Sequence, residues 1–186
     1  MYLPAQGDPV EVLSRFMGPP HFPIVPTELR GSWRFEGLEE GDHEIEGFSV
    51  LALDIPHKGG RSFGYRVGDG RSSIAYLSDH NPVSLGAGPG GLGPHHDAAL
   101  RLAAGVDVLV HDAQHTAEEL PAKAAFGHSA AEYALTLAEE AGARRVLLFH
   151  HDPNRTDDEM DALVARFAES PIPVAAAREG EVLELG

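Results

Sequence analysis

The chain has 186 residues, of which 42% are hydrophobic and 23% charged, a balance typical of one globular domain with a sizeable core. The formal net charge of −15, with no cluster of Lys and Arg, argues against nonspecific binding to nucleic acid or an anionic membrane, because phosphate groups would be repelled. Cysteine is absent, so disulfides and thiolate metal sites are excluded, and any metal ion would be bound by His and carboxylate ligands.

The sequence also bears on location. No apolar segment approaches the roughly 18 residues that a membrane-spanning helix requires. The first eight residues lack the basic and apolar regions of a signal peptide. We therefore expect a cytoplasmic protein that acts on a small molecule and has neither nucleic acid nor membrane as a partner.

The first half of the chain is predicted to be rich in β-strands. Asp8 as N-cap and Pro9 at the first helical position predict one short helix. Gly68-Asp69-Gly70 between two β-like segments predicts a hairpin. The predicted elements are a helix over 9–16, strands over 32–35, 45–53, 62–67 and 73–77, and a glycine-rich loop over 81–94.

In the second half, helices and strands alternate. Gly142 is placed to end one helix in a left-handed conformation, and Thr156 with Glu159 forms the capping-box pattern that begins another. A β-rich half followed by an α/β half indicates a sheet covered by helices on its outer face. The predicted helices cover 96–104, 117–125, 129–141 and 156–168, and the predicted strands cover 106–110, 146–149, 174–177 and 182–185.

His or Asp residues follow one predicted strand after another. In layered α/β proteins such strand ends meet at one rim, where ligand sites form. Each of these groups can bind a metal ion or transfer a proton, so the repeated pattern indicates a metal-dependent hydrolytic centre. The residues are His57, Asp79-His80, His111-Asp112 and His150-His151-Asp152.

Each of these residues also has a simpler explanation. His57 could be a hydrogen-bonded surface residue, and Asp79 could cap a turn rather than bridge two cations. His150 is harder to explain by packing, because it ends a strongly apolar strand and a buried imidazole needs partners. His95 and His96, in the loop before a helix, are expected to be solvated.

Gly127-His128-Ser129 directly precedes a predicted helix, where free N–H groups and the helix dipole favour an anionic group. His128 could donate a proton to a leaving group there, or Ser129 could simply cap the helix. Asp112 is explained equally well as support for a metal ligand and as part of a turn.

The order of these residues resembles the C-terminal part of the metallo-β-lactamase superfamily, in particular its ribonuclease Z-like and phosphodiesterase-like branch. The resemblance implies an αββα sandwich with two metal ions, usually Zn²⁺, at the rim between the sheets, although Mn²⁺ or Fe would accept the same ligands. It extends over most of the chain. The matching segments are Pro56-His57 with 63–67, and then 76–79, 110–113, 127–131 and 148–153.

The resemblance also implies roles for individual residues. His57 looks like a ligand of one metal ion and His150 like a ligand of the other, with Asp79 as the carboxylate that bridges them. His128 looks like the histidine that assists phosphodiester cleavage without binding metal. His128 and Asp79 are therefore the expected catalytic residues.

The superfamily's His-x-His-x-Asp-His motif occurs nowhere in the sequence. His57, Asp79 and His150 alone would give each metal ion one terminal ligand and a shared bridge, whereas catalytic zinc usually has three protein ligands. We therefore expect an N-terminally incomplete sandwich over residues 1–186 that binds metal weakly, as a truncated form of a longer hydrolase would. A degenerate member, or a half that pairs with another chain, are the alternatives.

The expected function is metal-dependent hydrolysis of a small phosphodiester or ester. One alternative is a non-catalytic binding or assembly module that retains the fold without a complete metal site, with a homo-oligomer or a separate N-terminal half as its partner. Another is an unrelated α/β ligand-binding domain, in which His57, Asp79 and His150 would lie far apart.

Overall fold

The computed structural model describes residues 1–185. The chain forms two compact units, one over Met1–Gly41 and a second that begins at Asp42. The prediction of a single domain stays a prediction.

The first unit is small and contains two strands and one helix. Strand β1 (Tyr2–Pro4) pairs in parallel with β2 (Glu36–Leu38). Helix α1 (Pro9–Ser14) begins at the predicted cap, where the Glu11 backbone N–H donates to Asp8 Oδ1 at 2.9 Å. The predicted strand over 32–35 is wrong, because the Trp33 indole N–H closes a turn onto the Arg30 carbonyl at 2.9 Å and strand pairing begins only at Glu36.

The second unit is built on a seven-stranded sheet whose strands are adjacent in chain order. The strands are β3 (Gly41–Ile45), β4 (Phe48–Ile55), β5 (Ser62–Gly68), β6 (Ser73–Leu77), β7 (Val108–Asp112), β8 (Val146–Phe149) and β9 (Val174–Ala176). Strand β5 pairs antiparallel with both β4 and β6, and β6 to β9 pair in parallel. Strands β4, β6, β7 and β8 therefore end at the same rim.

Four helices follow the β-rich part: α2 (Asp97–Ala103), α3 (Leu120–Lys123), α4 (Ala131–Ala141) and α5 (Asp157–Ala165). Helix α2 packs closely on β4, β5 and β6, and Gly64 makes this approach possible because a Cβ there would lie 2.6 Å from Leu102 Cδ1. Full burial of each large apolar side chain contributes about 1.5–3 kcal/mol to stability. The fully buried apolar side chains include Ile55, Leu77, Leu102, Leu109, Leu137 and Leu148.

Most predicted elements are confirmed, including the hairpin around 68–70 and the capping box, in which the Glu159 backbone N–H donates to Thr156 Oγ1 at 3.3 Å. The segment over 45–53 is instead divided by a turn at Glu46 (φ 52°) and Gly47 (φ 85°), after which β4 begins. The helix predicted over 117–125 is shorter, since α3 is followed by a 3₁₀ turn.

The predicted strand over 182–185 is wrong. The Ala177 backbone N–H still donates to the Leu148 carbonyl at 2.8 Å, but Gly180 (φ 77°) then turns the chain and the following segment is irregular. Within residues 1–185, no helix has both the length and the apolar character needed to span a membrane. The predicted α/β class is confirmed.

Candidate functional site

Four acidic and imidazole side chains meet at the rim where the parallel strands end. They come from four separate places in the chain: just after β6, the last residue of β7, the approach to α4 and just after β8. One potential ligand atom from each lies within 4.8 Å of those of the others. The residues are Asp79, Asp112, His128 and His150.

Asp79 and His150 face each other in this cluster. Asp79 Oδ1 lies 3.1 Å from His150 Nδ1, yet this oxygen is shielded from solvent and accepts no hydrogen bond from residues 1–185. Both residues have a left-handed backbone, with φ values of 56° and 55°. Such conformations cost about 1–3 kcal/mol each and persist where the surrounding structure holds them, often at functional sites. Ser78 Oγ forms a hydrogen bond with His150 Nδ1 at 3.1 Å.

Asp112 is fully buried and its carboxylate accepts four hydrogen bonds. Four donors account for the lone pairs that a carboxylate offers, so Asp112 is saturated as an acceptor and has no position left for a metal ion. Its role is to hold its neighbours. The donors are the backbone N–H groups of Gln114 (3.1 Å), Ser129 (3.2 Å) and His80 (3.3 Å), and His128 Nδ1 (2.8 Å).

The surroundings of His128 favour its protonated form. The hydrogen bond to Asp112 raises the pKa of His128, and the negative charge of Asp79 acts in the same direction against partial desolvation. Because Nδ1 donates to Asp112, only Nε2 is available for a ligand, and it has no hydrogen-bond partner among residues 1–185. The ring stacks on that of His150, with 4.6 Å between centroids.

His57 lies on the same rim but outside the four-residue cluster. Its Nδ1–H donates to the Gly127 carbonyl at 2.8 Å, so Nε2 keeps its lone pair. Metal-binding histidines commonly have this arrangement, in which a carbonyl fixes the tautomer. The His57 ring lies 5.4 Å from that of His128. Gly127 (φ 97°) permits the approach, since a Cβ there would lie 2.9 Å from Lys58 Cβ.

The structure thus brings together three of the residues singled out from the sequence, Asp79, His128 and His150, with His57 beside them. Their roles as ligands and proton donor stay predictions. Asp112, for which the sequence left two explanations open, lies at the centre of the hydrogen bonding. The sequence signal for it is its place at the end of a buried parallel strand, between two other strands that end in site residues.

Comparison with known proteins agrees with this geometry. A family model described as "Beta-lactamase superfamily domain" matches residues 3–151. The chain therefore belongs to this superfamily, and its fold is that of the metallo-β-lactamases, as the resemblance implied. The hypothesis of an unrelated α/β ligand-binding domain is wrong.

Two curated relatives show how the similarity is distributed. Ribonuclease Z of Lactococcus lactis is 46% identical over 54 residues, which cover 29% of this chain and 18% of the relative. Ribonuclease BN of Escherichia coli is 39% identical over 122 residues, covering 65% of this chain and 30% of the relative. The chain thus spans less than a third of the length of these relatives.

Two solved structures show the same fold. The metallo-β-lactamase fold protein YhfI from Bacillus subtilis superposes with a TM-score of 0.62 at 17% identity, covering 92% of this chain and 60% of YhfI. A diphosphatase from the PhnP family gives a TM-score of 0.58 at 21% identity, covering 82% of this chain and 49% of the diphosphatase. At these identities the likeness concerns the fold alone.

Proposed function

We propose that the chain is a metal-dependent hydrolase that acts on a small phosphodiester or ester. The observation that carries this proposal is the convergence at one rim of two candidate ligands, Asp79 and His150, with the hydrogen-bonded pair His128 and Asp112, so that one acidic or imidazole atom of each residue lies within 4.8 Å of the others. The names of the two curated relatives, both ribonucleases, support cleavage of phosphate esters.

The donor set fits a divalent cation. The buried Asp79 Oδ1 accepts no hydrogen bond within residues 1–185, although the His150 ring lies 3.1 Å away, so this oxygen keeps its lone pairs for a cation. We propose His57, Asp79 and His150 as the ligands, with Asp79 as the bridge where two ions bind. Zn²⁺ is favoured, and Mn²⁺ or Fe would suit the same ligands. A cation bound here would lower the pKa of a bound water and polarise the scissile bond.

The other residues of the site are proposed to take part in proton transfer. Asp112 holds the Nδ1–H of His128, so the second ring nitrogen can donate to the leaving-group oxygen or to a phosphoryl oxygen. The raised pKa of His128 keeps a larger fraction of the ring protonated near neutral pH than in an ordinary histidine. Asp79 orients the attacking water.

Charge narrows the substrate class. A net charge of −15 without a cluster of Lys and Arg disfavours a long polyanion, because each additional phosphate would be repelled. We therefore propose a substrate with one or two phosphate groups, or an uncharged ester, rather than an RNA.

One observation favours a second function. His57, Asp79 and His150 are fewer ligands than a two-metal hydrolytic centre uses, since catalytic zinc usually has three protein ligands per ion. A non-catalytic binding or assembly module that retains the fold is therefore the competing proposal. It shares the geometry but requires neither a stoichiometric metal nor turnover.

Metal analysis of the purified chain, combined with hydrolysis of bis(p-nitrophenyl) phosphate, separates the two. The hydrolase proposal predicts Zn²⁺- or Mn²⁺-dependent turnover that is lost in Asp79→Asn, whereas His21→Gln, at an exposed position in the first unit, serves as the matched control and keeps it. If the chain binds no metal at high micromolar concentration and shows no turnover, the hydrolase proposal is refuted and the binding module remains.

A further inference from the structure

Three imidazoles form a hydrogen-bonded chain directly behind the candidate site. His80 Nδ1 lies 2.9 Å from His111 Nε2, and His80 Nε2 lies 2.8 Å from His96 Nε2. His80 and His111 are fully buried, and His96 is partly buried. The expectation that His96 is solvated is therefore wrong. It could not be foreseen from the sequence, because its partner His80 lies on the far side of the glycine-rich loop.

The last acceptor of this chain sets the direction of its hydrogen bonds. His111 Nδ1 lies 2.7 Å from the Asp112 backbone carbonyl, which can only accept, so His111 carries a proton on Nδ1. His111 and His80 are fully buried, and burial disfavours a second proton on either ring. His111 Nε2 therefore accepts from His80 Nδ1–H, and His80 Nε2 accepts from His96 Nε2–H, so the hydrogen bonds run from His96 to Asp112.

Burial agrees with this assignment. Desolvation lowers the pKa of His111 to about 4 and that of His80 well below its ordinary value. The neighbouring imidazoles act in the same direction on His80, because two adjacent positive charges would repel each other. The ring of the fully buried Tyr133 packs edge-on against His80 with 5.5 Å between centroids, which excludes water from the flank of the chain.

The middle ring belongs to the residue that follows Asp79. The backbone N–H of His80 donates to Asp112 Oδ2 at 3.3 Å, and that of Asn81 donates to the Pro56 carbonyl at 2.7 Å. The left-handed turn at Asp79 is therefore tied to the ends of both β4 and β7. The imidazole chain adds a side-chain link from the same turn to His96, the residue that precedes α2.

We propose that His96 and His80, with His111, form a hydrogen-bonded chain of imidazoles of fixed tautomer that positions Asp79 at the candidate metal centre. His96 is then a positioning residue for a site that it does not touch. Its effect on metal binding rests on the proposed function, but the tautomer pattern does not.

The physical reason is the free-energy cost of a buried ring nitrogen that has no hydrogen-bond partner. Without the His96 donor, His80 Nε2 would be left buried and without a partner, so the ring would rotate or change tautomer to recover a hydrogen bond. Either change loosens the residue next to Asp79. Loss of such an outer partner typically weakens metal affinity by about 10- to 100-fold, and we expect the lower end because two backbone hydrogen bonds remain.

The test begins with the metal-free wild-type chain at pH 7. Long-range ¹H–¹⁵N spectra of the imidazoles, assigned by single His→Gln variants, should show His80 and His111 protonated on Nδ1 and His96 on Nε2. Observation of the His80 proton on Nε2, or of the His96 proton away from Nε2, would overturn the proposal.

Two variants of His96 and one control complete the test. In His96→Gln, an amide N–H replaces the Nε2–H donor, so the tautomer of His80 and the Zn²⁺ affinity should both be retained. In His96→Phe the donor is lost, and we expect a changed His80 signal and about tenfold weaker Zn²⁺ binding. The control His95→Gln alters the neighbouring ring, which instead contacts Glu140 Oε2 and Thr136 Oγ1 at 2.5 and 3.1 Å, and should leave both readouts unchanged.

The outcomes separate the two proposals. If the tautomer pattern is found but no variant of the chain binds Zn²⁺ or turns over an ester, the proposed function fails and the imidazole chain stands as a structural element. If Zn²⁺ binds and His96→Phe binds it as tightly as the wild type, the positioning role is refuted whatever the activity.

Discussion

Two groups of three histidines lie at the same end of the sheet and differ in what their nitrogens contact. His57 and His128 each donate Nδ1–H to a protein oxygen, His150 forms its hydrogen bond with Ser78 through the same atom, and in all three Nε2 has no partner among residues 1–185. In the second group, which consists of His80, His96 and His111, the ring nitrogens form hydrogen bonds with those of the neighbouring rings. The hydrogen bonds of the ring nitrogens therefore distinguish two kinds of histidine: those with a nitrogen left to bind a ligand and those that only support the site.

The same difference appears in the charge each ring favours. A carboxylate hydrogen-bonded to one nitrogen raises the pKa of His128, whereas burial lowers the pKa of His111 to about 4, since desolvation outweighs the backbone hydrogen bond and the negative charge of Asp112. Two imidazoles on either side of the Asp112 carboxylate, one in β7 and one before α4, thus have opposite protonation preferences near neutral pH.

The largest effect is expected at His128. His128→Gln removes the proton donor but keeps a polar group of similar length, so kcat should fall by about 10²- to 10⁴-fold. Zn²⁺ affinity should stay within about twofold, because this ring is proposed to donate a proton and not to bind metal. Kinetics and calorimetry on the same preparation measure both, and a large loss of metal affinity would instead make His128 a ligand.

Part of this site could be predicted from the sequence alone. His57, Asp79 and His150 follow apolar strand-like segments, and parallel strands bring such residues to one rim, so short-range patterns were sufficient to place them. The imidazole chain could not be predicted, because His80 and His96 meet across a loop whose path no local pattern specifies. The strand predicted over 182–185 failed for a related reason: an alternating pattern does not reveal whether a partner edge is within reach.

The second prediction concerns how the free energy of unfolding depends on pH. The folded pKa of His111 is about 4, below its ordinary value of 6.5, so the unfolded chain binds the proton more readily. The contribution of His111 to the free energy of unfolding is fully present above pH 6.5. As the pH drops to about 4, protonation of this residue in the unfolded chain should lower the free energy of unfolding by roughly 3 kcal/mol. His128, with a raised pKa, acts in the opposite direction: its contribution is present below pH 6.5 and is lost as the pH rises through the folded pKa.

Urea unfolding between pH 7 and pH 4 measures this dependence. In His111→Asn the side-chain amide can still donate to the Asp112 carbonyl but cannot titrate, so the slope of stability against pH should be shallower than in the wild type. His21→Gln, at an exposed position, should retain the wild-type slope. Equal slopes in all three proteins would mean that folding does not lower the pKa of His111.

The third prediction tests the carboxylate beneath His128. In Asp112→Asn the amide cannot hold a positive imidazole, so the pKa of His128 should fall and the activity maximum should move to lower pH. We expect a loss in kcat of about 10- to 100-fold, smaller than in His128→Gln because the ring remains. A pH–rate profile with an unshifted limb would show that Asp112 acts only in packing.

The smallest effect is expected at Gly127, whose carbonyl holds His57. Ala at this position must adopt a left-handed backbone (φ 97°) and place a Cβ 2.9 Å from that of Lys58. Gly142→Ala is the matched control, because its φ of 69° is also left-handed but nothing lies within 4 Å of the added Cβ. Both variants should lose about 1–2 kcal/mol of stability from the backbone. Only Gly127→Ala should also weaken Zn²⁺ binding, by about tenfold, because it displaces the outer partner of a ligand. Equal Zn²⁺ affinities in the two variants would remove His57 from the metal centre and leave the site to Asp79 and His150.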